Sequence, residues 1–184
     1  MTEYGMTTLH TVHTAHLTPA ELGALRGLLD TAFDGGFADE DWDHSLGGMH
    51  ALISEEGELI AHGSLIQRRV LHRGHSLRVG YVEAVAVRPD RRRRGLGGRI
   101  MAALEEIVDG AYLFGALSAS ASGAALYAGR GWQVWPGGLA ALGPEGVVPL
   151  PDEEGSTYVR PAAGRNLPDP QSALYFDWRN GDVL

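Results

Sequence analysis

The sequence predicts a mixed, mainly antiparallel α/β sheet flanked by helices, built as one domain over residues 1–184. Three observations carry that prediction. The apolar pattern orders the elements β-α-α-β-β-β-α-β-α-β, which lacks the regular βαβ alternation of a doubly wound fold. A chain of 184 residues has the size of a single domain with a sizeable core. The stretch Tyr81–Met101 joins a strand to a helix through a basic, glycine-rich turn, and the other elements are organised around it.

The elements follow in order. Leu9–Leu17 reads as a first strand; its His10, His13 and His16 recur every three residues, but a strand sends them to different faces, so no metal site is expected. Thr18-Pro19-Ala20-Glu21 is a capping box with proline at the first helical position, and Leu22, Leu25, Leu28, Leu29 and Ala32 line one side of the helix it opens. Met49–Ser54 and Leu59–Leu71 read as strands joined by the turn Glu55-Glu56-Gly57-Glu58. Arg73-Gly74-His75 turns the chain into a central strand, Leu77–Val87, and Pro89 ends its ladder because proline has no N–H to donate. A helix from about Gly97 to Asp109 follows, then a strand at Tyr112–Leu117 and a small-residue loop, Ser118–Ser122. A short helix at Ala124–Arg130 is stopped by Gly131, and Trp132–Trp135 begins another strand. From Pro136 to Pro170 glycine and proline dominate, with a strand expected at Thr157–Arg160; the last element is Ala173–Trp178.

Composition excludes several functions. Cysteine is absent, which removes disulfides, thiolate metal sites and a cysteine nucleophile. The net charge is −8, yet five of the fifteen arginines fall between Arg88 and Arg94, so the remaining surface is strongly acidic. That balance argues against nucleic acid and for a cationic small-molecule substrate. The N-terminus lacks the basic and apolar regions of a secretory signal. Gly110–Gly129 carries no charge, but its three serines and four glycines suit strand, loop and helix better than a membrane span. A cytoplasmic protein is expected.

The basic turn reads Arg92-Arg93-Arg94-Gly95-Leu96-Gly97, an R-x-x-G-x-G pattern between strand and helix. Backbone N–H groups and the positive end of the helix dipole converge there, and arginines add bidentate phosphate donors. Neither a Rossmann fingerprint nor a P-loop is present. The pattern resembles the acetyl-CoA loop of the GCN5-related N-acetyltransferases (GNAT), which implies the GNAT fold and acetyl-CoA as co-substrate, with no metal.

Acyl transfer to an amine needs a base for the ammonium proton, polarisation of the thioester carbonyl and an acid for the departing thiolate. Glu83, alone in an apolar strand, is the candidate base, since partial burial raises a carboxyl pKa; a structural partner for an arginine is the other reading of the same residue. Tyr127 on the short helix is the candidate acid, with a core tyrosine as its alternative. A backbone N–H near Val85 would hold the carbonyl. Asp34–Asp43 (DGGFADEDWD) packs five carboxylates and two aromatics into ten residues, either a solvated loop and short helix or a rim for ammonium groups.

Longer motifs narrow the resemblance. His44–His50 (HSLGGMH), Ile66-Gln67-Arg68, Gly80–Glu83 (GYVE), Leu117–Ser120 (LSAS), Leu126-Tyr127, Gly131-Trp132, Asp177-Trp178-Arg179 and Gly181-Asp182 are similar to those of the aminoglycoside 2′-N-acetyltransferases. The likeness runs from about Leu9 to the last residue. It implies an antibiotic-resistance enzyme, usually a homodimer, that acetylates the 2′-amine of aminoglycosides by direct attack within a ternary complex. Glu83 falls where the family's base acts through water, and Tyr127 where its acid acts. Val85 and Val87 fall on the strand pairing with the pantetheine arm, and Arg92, Arg93, Arg94, Gly95 and Gly97 on the pyrophosphate loop. Asp41 and Asp182 fall on positions holding the drug's amino groups. Asp34, Ser118 and Trp178 lie beside them. Two departures fall on the acceptor side: Gly36 stands where the family usually has aspartate, and Leu184 where it usually has tryptophan. A GNAT enzyme for another polyamine or a peptide amine, and a non-catalytic binder of drug or acetyl-CoA, are the competing readings.

Overall fold

The computed structural model describes residues 6–184. The first strand is shorter than expected, β1 at Thr7–His13, because Thr14–His16 closes into a 3-10 turn whose Ala15 N–H bonds the His13 ring at 3.1 Å. Helix α1 spans Pro19–Ala32 and opens with the expected capping box: Thr18 Oγ accepts from Glu21 N–H, and Glu21 accepts from Thr18 N–H at 2.7 Å. A short α2 occupies Asp39–His44. Strands β2 (Met49–Glu55) and β3 (Glu58–His72) meet at the two-residue turn Glu56-Gly57, both in the left-handed region, the signature of a tight hairpin. Arg73-Gly74 repeats that geometry into β4, His75–Val87.

Helix α3 covers Leu96–Ala111, and Tyr112 N–H still bonds Val108 O at 3.0 Å. For that reason β5 starts at Phe114, two residues after the expected Tyr112, and runs to Ser118. Helix α4 is Ala124–Ala128, and β6 is only Gln133–Val134 because Trp132 and Trp135 on either side turn into the core. Two strands appear where none was expected, β7 at Leu139–Gly143 and β8 at Gly146–Pro149. They form a hairpin inside the glycine- and proline-rich stretch, and β7 takes its second partner from β10 (Leu174–Asp177), some thirty residues later. Strand β9 is Thr157–Pro161.

The chain packs as two compact units, one drawn from Met1–Ile66 and Val82–Leu104, the other from Gln67–Tyr81 and Glu105–Leu184. Strands β3 and β4 contribute to both. In the first unit β1, β2 and the beginning of β3 form an antiparallel ladder, with Thr7 opposite Glu55 and Met49 opposite Leu65. Leu25 and Leu29 of α1 pack with Phe37, Leu52 and Ala86. On β3, Gly63 admits α3: a Cβ there would meet the Ile100 side chain at 2.6 Å. In the second unit the strands run β6-β9-β5-β4 and β3-β10-β7-β8. Strands β4 and β5 (Val79–Tyr81 with Phe114–Ala116) pair in parallel, as do β10 and β7. Val70, Val79, Tyr81, Phe114, Val159, Leu174 and Phe176 form its core. Among the described residues no helix is long and apolar enough to cross a membrane.

Candidate functional site

The basic turn comes first. Gly95 sits at φ +74° and Arg93 at +61°, conformations that fold the backbone tightly before α3 begins at Leu96. The first N–H groups of α3 have no carbonyl within the helix to receive them, and Gly97 lies in that first turn. The arginines divide their work. Arg91 and Arg94 donate to the two oxygens of Glu55 at 2.6 and 2.9 Å, and they hold its carboxyl below the usual range, Arg94 foremost. Arg92 donates to Ala32 O at 2.8 Å, closing the end of α1, and to Val87 O at 3.3 Å. Arg93 is exposed and makes no ion pair with the described residues. The loop is held at its flanks and presents one open guanidinium beside a helix N-terminus, a fit for a pyrophosphate.

On β4, Glu83, Val85 and Val87 are all half-buried. Between the first two, Ala84 has φ +49°, a left-handed residue in mid-strand. For a residue with a Cβ that conformation costs about 1–2 kcal/mol. Two side chains from β3 attend the irregularity: His62 Nδ1 donates to Ala84 O at 2.8 Å, and Ser64 Oγ lies 3.4 Å from Glu83 O. Behind His62 stands His50, Nδ1 to Nε2 at 2.9 Å, and behind His50 stands Thr14 Oγ at 2.7 Å. His50, His62 and Ser64 are fully buried. Burial pushes His50 down to about 4 and His62 to about 3, the latter also by its proximity to His50, so both rings are neutral.

The acidic stretch is more structured than a loose rim. Arg26 donates to Asp30 at 2.9 Å, Asp39 at 3.0 Å and Phe37 O at 3.3 Å, with its guanidinium over the Phe37 and Trp42 rings. Asp41 accepts Ala38 N–H at 2.8 Å, so one carboxylate oxygen caps α2. Asp34, at φ +54°, is exposed at the end of α1, next to the exposed Gly36. Trp42 and Ala84 pack against one apolar cluster, which brings α2 beside the strand carrying Glu83.

In the second unit, Tyr127 of α4 is 8% exposed. Its ring meets Trp132 edge-on, centroids 6.4 Å apart, and tilts against Tyr158 at 6.2 Å. Glu105 fixes this group: it accepts from Arg130 at 2.9 and 2.5 Å and from Trp132 Nε1 at 2.9 Å. Ser118, exposed at the end of β5, donates to Glu153 at 3.1 Å. Trp178 and Asp182 are exposed on the last loop. That loop is tied down by Arg68, 2% exposed, which donates to the Asp177 carboxylate at 2.8 Å, to Asp177 O at 2.7 Å and to Val183 O at 2.6 Å. Its guanidinium lies over Tyr81 (4.8 Å) and Phe176 (5.1 Å). Leu184 is buried in the second unit's core.

The structure thus gathers Asp34, Asp41, Glu83, Val85, Val87 and the 92–97 loop in the first unit, and Ser118, Tyr127, Trp178 and Asp182 in the second. Arg26, His62 and Glu105 stand in none of the motifs read from the sequence, while His50 and Arg68 stand in the motifs His44–His50 and Ile66–Arg68 with no role assigned to them. A lone buried histidine leaves one trace in sequence, a polar residue inside an apolar strand, which His62 shows; Arg68, between Gln67 and Arg69, is not set apart in that way. Among the described residues no group of three or more His, Cys, Asp or Glu side chains could hold a metal ion.

Solved structures share this architecture at low identity. An acetyltransferase of the GNAT family from Brucella melitensis, in complex with acetyl-CoA, is 15% identical with a TM-score of 0.59, over 91% of this chain and 94% of that one. An acyl-CoA N-acyltransferase from Pseudomonas aeruginosa is 20% identical with a TM-score of 0.60, over 84% and 99%. The fold is that of the GNAT acetyltransferases, and the model of the acetyltransferase (GNAT) domain matches residues 13–135. An aminoglycoside 2′-N-acetyltransferase from Mycolicibacterium fortuitum is 46% identical over 181 residues, 95% of this chain and 92% of that protein. The chain belongs to the GNAT acetyltransferases and, within them, to the aminoglycoside 2′-N-acetyltransferase family.

Proposed function

We propose that this protein transfers the acetyl group of acetyl-CoA to the 2′-amine of aminoglycosides, directly and within a ternary complex. The observation that carries this reading is the 46% identity to the Mycolicibacterium fortuitum enzyme over 95% of the chain. In this mechanism the loop from Arg92 to Gly97 receives the pyrophosphate, with Arg93 as the open guanidinium and Arg92 and Arg94 holding the loop in shape, while Val85 and Val87 pair with the pantetheine arm. Glu83 takes a proton from the substrate ammonium through a water, the freed amine attacks the thioester carbon, and Val85 N–H receives the developing negative charge on oxygen. Tyr127 supplies a proton to the sulfur as the C–S bond breaks, and the second proton leaving the new amide nitrogen restores the phenol. Asp34, Asp41, Trp178, Ser118 and Asp182 receive the cationic acceptor; the exposure of Asp34, Ser118, Trp178 and Asp182 supports that role, as does the protein's net charge of −8.

The 13–135 match runs through both units, which supports reading residues 1–184 as one catalytic domain. A homodimer is in keeping with the apolar residues left exposed on β7 and β8, Leu142, Val147 and Val148. Use of acetyl-CoA fits a cytoplasmic enzyme, and drug acetylation fits antibiotic resistance. The test is thiol release from acetyl-CoA with tobramycin and gentamicin, with amikacin and kanamycin, which carry a 2′-hydroxyl, and with spermidine and a short peptide. Turnover confined to the 2′-amino drugs is expected. Turnover on spermidine or peptide alone would assign a different acceptor, and binding of acetyl-CoA without turnover on any acceptor would assign a binding protein.

A further inference from the structure

The buried histidines have no place in the reaction described so far, and they are costly to keep. Two imidazoles with no exposed surface sit end to end, and each ring nitrogen is committed. A carbonyl oxygen only accepts, so His62 Nδ1 carries the proton given to Ala84 O. His62 Nε2 is then the acceptor for His50 Nδ1–H, and His50 Nε2 the acceptor for Thr14 Oγ–H. The chain has one direction, and it ends on the Ala84–Val85 peptide, one residue beyond Glu83.

That peptide is unusual in two ways. Ala84 is left-handed despite its Cβ, and its carbonyl is met by a side chain where a strand normally meets a neighbouring N–H. The carbonyl of Glu83 also faces a β3 side chain, Ser64. Two successive carbonyls turned toward one neighbouring strand mark a bulge, since regular strands alternate them. Because the peptide is planar and trans, the N–H of Val85 points opposite to the carbonyl of Ala84. Fixing that carbonyl against the His62 ring therefore aims Val85 N–H away from the ring.

We propose that His62, held by His50, is a positioning residue for acetyl transfer: it locks the Ala84–Val85 peptide in the turned orientation that aims Val85 N–H at the thioester carbonyl. The inference rests on the proposed role of Val85 N–H and assigns the groups that keep it in place. His62 touches neither substrate. Its hydrogen bond offsets the steric cost of a left-handed alanine, and His50 prevents the ring from rotating out of register.

The test uses two substitutions that separate the ring nitrogens. His62→Asn puts an amide nitrogen where Nδ1 stands and keeps the donor to Ala84 O; His62→Gln puts it where Nε2 stands and loses that donor. His62→Gln is expected to lower kcat on the order of tenfold to a hundredfold, the scale of a displaced reacting group, with the KM for the acceptor unchanged. His62→Asn should retain most of the activity. In calorimetry His62→Gln should erase the preference for acetyl-CoA over CoA, because only the former presents the thioester carbonyl. Adding Ala84→Gly, which makes the left-handed conformation free of Cβ strain, should restore both kcat and that preference. Equal losses in the Asn and Gln variants, equal loss of acetyl-CoA and CoA affinity, or no recovery with Ala84→Gly would overturn the proposal. Should the wild type acetylate none of the acceptors yet still prefer acetyl-CoA, the drug-acetylation reading fails and the His62 comparison stands on the binding measurement alone.

Discussion

Arg68 holds Asp177 by both its carboxylate and its main-chain carbonyl, at 2.8 and 2.7 Å, and the same guanidinium reaches Val183 O at 2.6 Å. One side chain thereby closes both ends of the loop that carries Trp178 and Asp182. Burial pulls its pKa down, and two charged neighbours act in opposite senses, Arg179 lowering and Asp177 raising it. Arg68→Ala leaves buried acceptors unpaired and should cost about 3–5 kcal/mol in denaturant unfolding. Arg68→Lys keeps the charge without the fork; it should raise the acceptor KM while leaving acetyl-CoA binding intact. An unchanged acceptor KM in a folded Arg68→Lys protein would detach this loop from substrate recognition.

Glu83→Gln replaces the proposed base with a neutral side chain of the same shape. Turnover should fall by about 10²–10⁴, with acetyl-CoA affinity within error of the wild type by titration calorimetry. An unaltered rate would take Glu83 out of the mechanism.

Tyr127→Phe preserves the ring that packs on Trp132 and Tyr158. The melting temperature should stay close to the wild-type value while kcat falls on the order of a hundredfold. A matching loss of stability would recast Tyr127 as a core residue.

The histidine pair makes stability depend on acid. Both rings titrate in the folded protein well below the ordinary value of 6.5, at about 4 and about 3. The unfolded chain therefore binds more protons as pH falls below 6.5, and folding free energy drops between pH 6.5 and the folded values. From pH 6.5 to pH 5 the loss should be about 1.6 kcal/mol per histidine. Urea unfolding across that interval measures it, and a His50→Gln/His62→Gln protein should show a much flatter profile. A wild-type curve flat over this range would contradict the neutral, buried assignment.

Local signals carried much of the fold. The capping box at Thr18, the left-handed pair Glu56-Gly57 and the turn before α3 each act within a few residues, and all three stand where the sequence puts them. Strands β7 and β8 were not legible, because their short, glycine-broken apolar runs become strands only when β10 supplies a partner for β7. The same reason hid the role of Arg68, whose partners lie more than a hundred positions away. Asp41 shows the converse limit. An acidic stretch advertises charge, but its pattern does not separate the carboxylate that caps α2 from those that face solvent.

The pairing of Glu55 with Arg91 and Arg94 bears on how the enzyme responds to its medium. Of four consecutive cations, two arrive already matched by an internal carboxylate, and a third is spent on the carbonyls of Ala32 and Val87. An incoming polyphosphate thus displaces a thin ionic atmosphere, chiefly that of Arg93. Its affinity should decline gently with added salt, since the loop relies on shape set by folding more than on bare attraction. Removing Glu55 would reverse that economy: more free charge, a looser loop, and a cofactor site far more sensitive to ionic strength.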